Sequence, residues 1–311
     1  MPSSRRFHAG ALGLLLLAAT ARAQTPVEGF DAERLYPSAP GAGWFVMDSL
    51  DMHGELGGAM SFALRYARDP LRVGGTAVVT DSAYGQVAAA LTFERWRFSL
   101  GFDFPAAVKG RTVTTSGYVY PGPDLDLGSH PDTLSDVRLG VDVRVVGDAT
   151  GPFRFGLGAQ LWFPSGPEEQ YVSDGTYRAM ARALLAGDLG WFAYAGHVGV
   201  HVRPRDDGGI PGAPRGSELL FGLAGGAKLA LGESHRAVLG PELFGATAFK
   251  GFFHSETTTA EALLSGRIEG TGEHGAQLRL KLGAGVGLGS SFGTPAWRVM
   301  FALEMFGHDE H

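Results

Sequence analysis

Cysteine is absent from the 311 residues. No disulfide, thiolate-held metal or cluster, or acylated lipoprotein anchor can therefore form. Long apolar runs are scarce too: the one that stands out, residues 9–19, falls well short of the ~20 residues a membrane helix requires. Any membrane crossing further along must then be made by strands. Charge is thin and mixed, with 26 Lys and Arg against 32 Asp and Glu and no concentrated basic stripe, which excludes nucleic acid as the expected partner.

What is present points to export and to strands. Arg5 and Arg6, the apolar run, and Ala21-Arg22-Ala23 match a signal peptide over residues 1–23, cleaved before Gln24. With 48 glycines and 44% hydrophobic residues, the remainder suits a turn-rich β fold and not a disordered chain. Residues 24–50, which contain proline and glycine, read as a periplasmic N-terminal segment or linker; the sharper alternative is a segment that folds into a barrel mouth.

In residues 277–287 every second position is apolar (Leu278, Leu280, Leu282, Ala284, Val286), and the residues between are polar, charged or glycine. Successive side chains of a strand leave on opposite faces, so this is one apolar and one polar face. Glycine and long cations make a poor protein core but a reasonable wall for a watery interior, so the apolar face is expected to meet lipid. The same period recurs at 53–66, 86–94, 97–104, 136–144, 154–163, 177–185, 192–203, 218–231, 237–248, 260–269 and 297–306. The segment around Pro241 is the weakest of these, because proline removes a ladder donor.

Alternation alone also suits a soluble sandwich, so connection lengths decide. Short links at 95–96, 147–151, 189–191, 232–235 and 270–275 alternate with longer ones at 69–84, 109–135, 164–175, 204–217 and 249–257; 289–295 is a modest member of the long set. Short periplasmic turns and long outer loops mark an up-and-down barrel. The expected fold is all-β: a transmembrane antiparallel barrel of about twelve strands over residues 51–307, with a polar tail at 308–311. Aromatic side chains are expected to ring both interfaces, with Trp96, Phe98, Phe153, Trp191, Phe192 and Phe306 at inner strand ends and Tyr66, Phe104, Phe163, Tyr177 and Trp297 at outer ones.

The runs Phe30-Asp31-Ala32-Glu33-Arg34-Leu35, Arg68-Asp69-Pro70-Leu71, Asp136-Val137-Arg138-Leu139-Gly140, Glu242-Leu243-Phe244-Gly245-Ala246-Thr247 and Glu261-Ala262-Leu263-Leu264 resemble the amino-terminal barrel of OmpA-family outer-membrane proteins. The resemblance implies the bacterial outer membrane, with outer-membrane lipid, lipopolysaccharide and the barrel-assembly machinery as partners. Family members commonly continue into a peptidoglycan-binding domain; the resemblance here covers the barrel alone, and no wall anchoring is carried over.

The inward faces collect charge that would be prohibitive against hydrocarbon. Candidate lumen residues are Arg138, Asp142, Arg144, Arg178, Arg182, Lys228, Glu242, Arg267, Arg279, Lys281, Arg298 and Glu304. Rings of such side chains select ions and small solutes in pores, so the expected function is a passive pore or channel for small polar solutes or ions, cations in the lining favouring anions. Glycines at 140, 156, 158, 199, 222, 226, 283, 285 and 287 leave room in the interior. The alternative is a closed structural or adhesion barrel whose outer loops, 109–135 above all, bind a partner or surface polysaccharide.

Other strings carry less. Gly289-Ser290-Ser291-Phe292-Gly293 matches a hydrolase elbow but sits between strands, which leaves an interfacial lipid hydrolase on Ser291 as a remote alternative and no enzyme as the expectation. Gly270 to Gly275 matches a dinucleotide string without the helix that string needs. His197 and His201 lie about 13 Å apart along one strand face, too far to share a metal, and Asp124, Asp126 and Asp132 lack a calcium loop's spacing. No cofactor and no metal are expected.

Overall fold

The computed structural model describes residues 24–52, 56–270, 277–289 and 291–309. The expected signal at 1–23, the turn at 271–275, Ser290 and the last two residues of the expected tail lie outside these. The strands of the barrel are β1 (Leu56–Val73), β2 (Thr76–Phe93), β3 (Trp96–Gly110), β4 (Val137–Val146), β5 (Arg154–Phe163), β6 (Arg178–Asp188), β7 (Phe192–Val202), β8 (Glu218–Ala230), β9 (His235–Ala248), β10 (Thr258–Gly270), β11 (Gln277–Gly287) and β12 (Trp297–Asp309). Each pairs antiparallel with its neighbour in sequence, and β12 pairs with β1, so that Met305 faces Met60 and the sheet closes. This is a closed twelve-stranded up-and-down barrel.

Period-two patterning decides which way each strand faces. On β11, Leu278, Leu282 and Val286 are exposed on the outside while Arg279 and Lys281 are buried within. Ten strand residues at ~3.3 Å each, tilted ~40°, cover about 25 Å, the height of a bilayer's apolar band. Trp96 and Trp191 stand exposed at the short-turn end; Tyr66 packs on Trp297 and Phe163 on Tyr177 at the other. Phe306 departs from the expected girdle, because β12 aims it inward beneath Arg279, 4.3 Å from the guanidinium. Around Pro241 the β8–β9 ladder lapses between Ala224–Glu242 and Ala227–Leu239, as a missing donor requires.

Two expectations about loops need correction. Residues 69–84 are not a loop: β1 and β2 run 18 residues each and meet at a tight turn on Gly74 and Gly75, both with positive φ. The turn signal at Asp69-Pro70 is absorbed as an irregularity in register, and the hairpin continues because Leu71, Val73, Val78 and Val79 have an apolar cluster to cover. The tail is shorter than expected as well, since His308 and Asp309 pair with Gly57 and Leu56 in the closing ladder.

The larger correction concerns residues 24–50. No linker hangs from the barrel; the segment runs through it. Thr25–Pro26 pairs in parallel with Tyr118 and Val119 of the long 111–136 connection, at the outer-loop end. From there the chain descends inside the strands, and Met52 reaches the short-turn end where β1 begins. Phe30, Leu35, Trp44, Phe45, Val46, Met47 and Leu50 are all buried. A bend closes the segment on itself: Ser38 N–H donates to Phe45 O at 2.9 Å and Ser49 N–H to Ala42 O at 2.9 Å, with Gly41 and Gly43 at positive φ.

The lumen glycines take on a different meaning. A Cβ at Gly226 would come within 2.9 Å of Trp44, one at Gly283 within 2.9 Å of Phe45 and one at Gly156 within 2.9 Å of Leu50, and at Gly222 it would overlap Met47. Their small size makes room for the segment and not for water.

Candidate functional site

The site is the contact between this segment and the inner wall. Eleven of the twelve candidate charges are buried inside the barrel and Lys228 is half-buried near its short-turn end; most of them touch the segment or a neighbour that does. Polar atoms of an irregular segment must be satisfied where no solvent reaches, and the wall supplies the partners.

At the outer mouth Arg178 of β6 bridges Asp31 of the segment and Asp136 of the wall, each at 2.8 Å. Asp174, from the outer connection after β5, accepts the Asp31 N–H at 2.9 Å and pairs with Arg203. Burial pushes the Asp31 carboxyl up to about 6, against the Arg178 guanidinium, and the carboxylates of Asp174 and Asp136 add to the rise. Burial also raises Asp174, but Arg203 and Arg178 outweigh it and hold that carboxyl well below the usual range.

One step deeper, Glu33 is the segment's most connected carboxylate. Arg298 reaches it at 3.0 Å and Arg65 at 3.3 Å, and these guanidiniums also hold Glu261 at 2.9 Å and Asp103 at 3.1 Å on the wall. Arg34 pairs with Glu218, and Tyr36 lies 3.1 Å from His201 Nδ1, so His201 serves the packing of the segment. Arg138 donates to Pro37 O, while Arg182 and Asp142 satisfy one another at 3.0 Å across the wall.

In the lower half, Glu242 accepts the N–H groups of Phe45 and Val46 at 3.0 and 2.9 Å. Lys281 donates to Trp44 O at 3.1 Å and to Glu304 at 2.6 Å; Arg279 donates to Gly41 O at 3.2 Å and to Glu304 at 3.0 Å. Arg97 holds Asp48 at 2.7 Å and Asp51 at 3.2 Å, and Arg144 donates to Met52 O at 2.7 Å. Arg267 lies over Trp44 at 4.8 Å, and Lys228 pairs with Asp188. Cavities left beside the segment at Phe45 and at Pro37 amount to about 10 and 20 Å³, room for a single water at most.

Sequence reasoning found the wall but missed its partners, Asp31, Glu33, Arg34, Asp48 and Asp51. A signal was there: Trp44-Phe45-Val46-Met47 is four large apolar residues in a row, which a solvated linker does not carry. The remaining candidates stay apart from this site. Ser291 is buried, its hydroxyl donating to Thr258 O beside Thr294 Oγ1 at 3.1 Å, so the nucleophile exposure of a hydrolase elbow is missing. Asp124 and Asp126 both pair with Lys109, at 2.7 and 2.6 Å.

No protein-family model matches the chain, and no curated protein matches it in sequence. The OmpA-like resemblance therefore rests on the quoted residues alone. Among solved structures the fold is similar to that of an outer membrane channel from Pseudomonas putida F1, with a TM-score of 0.51 at 12% identity, covering 82% of this chain and 95% of that one. NanC porin (0.47, 7% identity, 81% and 100% covered) and the CymD monoaromatic hydrocarbon channel (0.44, 9% identity, 90% and 99% covered) align more loosely. A closed barrel with a continuous apolar exterior, aromatic rings at both ends and a charged, filled interior belongs in a bilayer, and the chain is a twelve-stranded β-barrel of the bacterial outer membrane.

Proposed function

We propose that the protein is an outer-membrane channel held shut by its own N-terminal segment. The observation that carries this reading is the burial of most of residues 29–52 among the inward charges, in the space twelve strands would otherwise leave partly to water. Apart from Thr25–Pro26 and the backbone bonds from Val27 N–H to Val119 O and from Ala32 N–H to Tyr171 O at the outer end, the segment is fastened by side chains and not by strand pairing. Such contacts release one by one while the ladder of the wall stays whole, so the segment can move without unfolding the barrel. The passive pore for small polar solutes or ions expected from lumen charge is kept in this reading, with a gate added to it. Arg279 and Lys281, expected to set ion preference, grip backbone oxygens of the segment and so act first on the gate. The similar fold from Pseudomonas putida F1 bears the description of a channel, which supports passage as the purpose of the gate.

Planar-bilayer recording tests this. The intact protein is expected to be silent most of the time, a protein lacking residues 24–52 to conduct steadily, and Glu33→Gln to open about tenfold more often, equivalent to ~1.4 kcal/mol off the closed state. Steady conductance from the intact protein would overturn the gate.

A second reading, a permanently closed barrel presenting its loops to a partner, is favoured by the outer apolar cluster. There Val27 and Phe30 pack with Tyr120 and Tyr171 of two different connections into a rigid cap. Silence of Glu33→Gln beside a conducting deletion would select it.

A further inference from the structure

Between the segment and the ring of short turns lies a cavity of about 590 Å³, within the size range of small-molecule sites. Pro40, Gly41 and Trp44 of the segment close it above, and Ala149 and Thr150 of the β4–β5 turn carry it to the barrel's rim. Among the described residues its lining holds six Arg or Lys side chains but only two acids, Asp51 and Asp188.

Four of the cations are committed. Arg279 and Arg236 share Glu269, Lys228 pairs with Asp188, and Arg97 is held by Asp48 and Asp51. The other two are only partly matched. Arg154, 5% exposed, donates Nη1 to the backbone oxygen of Ala149, and its Nε has no hydrogen-bond partner among the described residues. Arg267, 9% exposed, lies 3.5 Å from a Glu269 already shared by two other guanidiniums, and among the described residues neither its Nε nor its Nη1 makes a hydrogen bond. A buried guanidinium with unmet donors is costly until a counter-charge arrives, and its planar fork suits an oxyanion. Trp44, Tyr194 and Phe306 add aromatic rings to the same lining, which suits an anion with a carbon skeleton.

We infer that this cavity binds a small organic oxyanion, reached from the periplasmic side and held by Arg154 and Arg267. The inference goes beyond the gate and does not depend on it, because the cavity exists with the segment in place.

Calorimetric titration of the full-length barrel in an uncharged detergent tests the site, with succinate and inorganic phosphate as separate probes. Saturable binding of at least one probe at one site per chain is expected, succinate alone marking a carboxylate site and phosphate alone a phosphate site. Arg154→Gln and Arg267→Gln are each expected to weaken it about tenfold, as loss of a charged hydrogen bond does. Lys109→Gln, at the outer surface, should leave it unchanged. Failure of both probes to saturate the unmodified protein would overturn the site, whatever the variants do; so would unchanged affinity in both arginine variants.

Discussion

Three carboxylates and two guanidiniums meet at the outer mouth, which leaves one carboxylate without a full partner. Asp31 is the one that gives way: its ordinary value of 3.8 is raised to about 6 by burial and by its acidic neighbours. The folded protein then keeps a proton that the unfolded chain loses between pH ~4 and ~6, so stability falls as pH rises through that window and the loss is complete above about 6. Asp174 moves the other way, contributing stability above its ordinary value of 3.8 and losing it only as acid protonates the pair with Arg203. The outer fastening of the segment should therefore be tightest near pH ~4, where the Asp31 contribution is still whole and that of Asp174 is only beginning to be lost. Thermal unfolding in detergent is expected to show a higher Tm at pH 5 than at pH 7.5, and Asp31→Asn to remove most of that difference. A profile flat in the unmodified protein would contradict the assignment.

Strands were legible because period two survives every local accident. On β5 and β11 the alternation of residues 154–163 and 277–287 gives the observed ends. Elsewhere the ends shift both ways, inward by one residue at the ends of β7 and β8 and outward most of all on β1 and β2. There the apolar rows carry on above the bilayer to cover Phe30, Tyr120 and Tyr171, partners distant in sequence. The lipid-facing row makes its own prediction. Leu282 sits mid-strand on β11 and 57% exposed, so Leu282→Arg should cost roughly 2–4 kcal/mol in a bilayer. Denaturant unfolding from lipid vesicles reads this directly; an unchanged midpoint would mean the row does not face hydrocarbon.

At the scale of the molecule, the inner wall was readable and its content was not. A charge such as Glu242 or Lys281 announces by its strand position that it points inward, but whether it meets water or backbone depends on a segment nearly two hundred residues or more away. Residues 24–50 have no period to read, because an irregular chain inside a barrel is held by others' side chains and not by its own repeat. The barrel and its plug thus form a single body with the segment's start outside and its end at the periplasmic rim. The absence of native cysteine makes this topology directly measurable. Thr25→Cys, at an exposed position beside the outer loops, should react with a membrane-impermeant maleimide on intact cells, while Ser234→Cys in the β8–β9 turn should react only after the outer membrane is opened. A Thr25→Cys protein shielded on intact cells and labelled alongside Ser234→Cys would return the segment to the periplasm and leave the lumen without its plug.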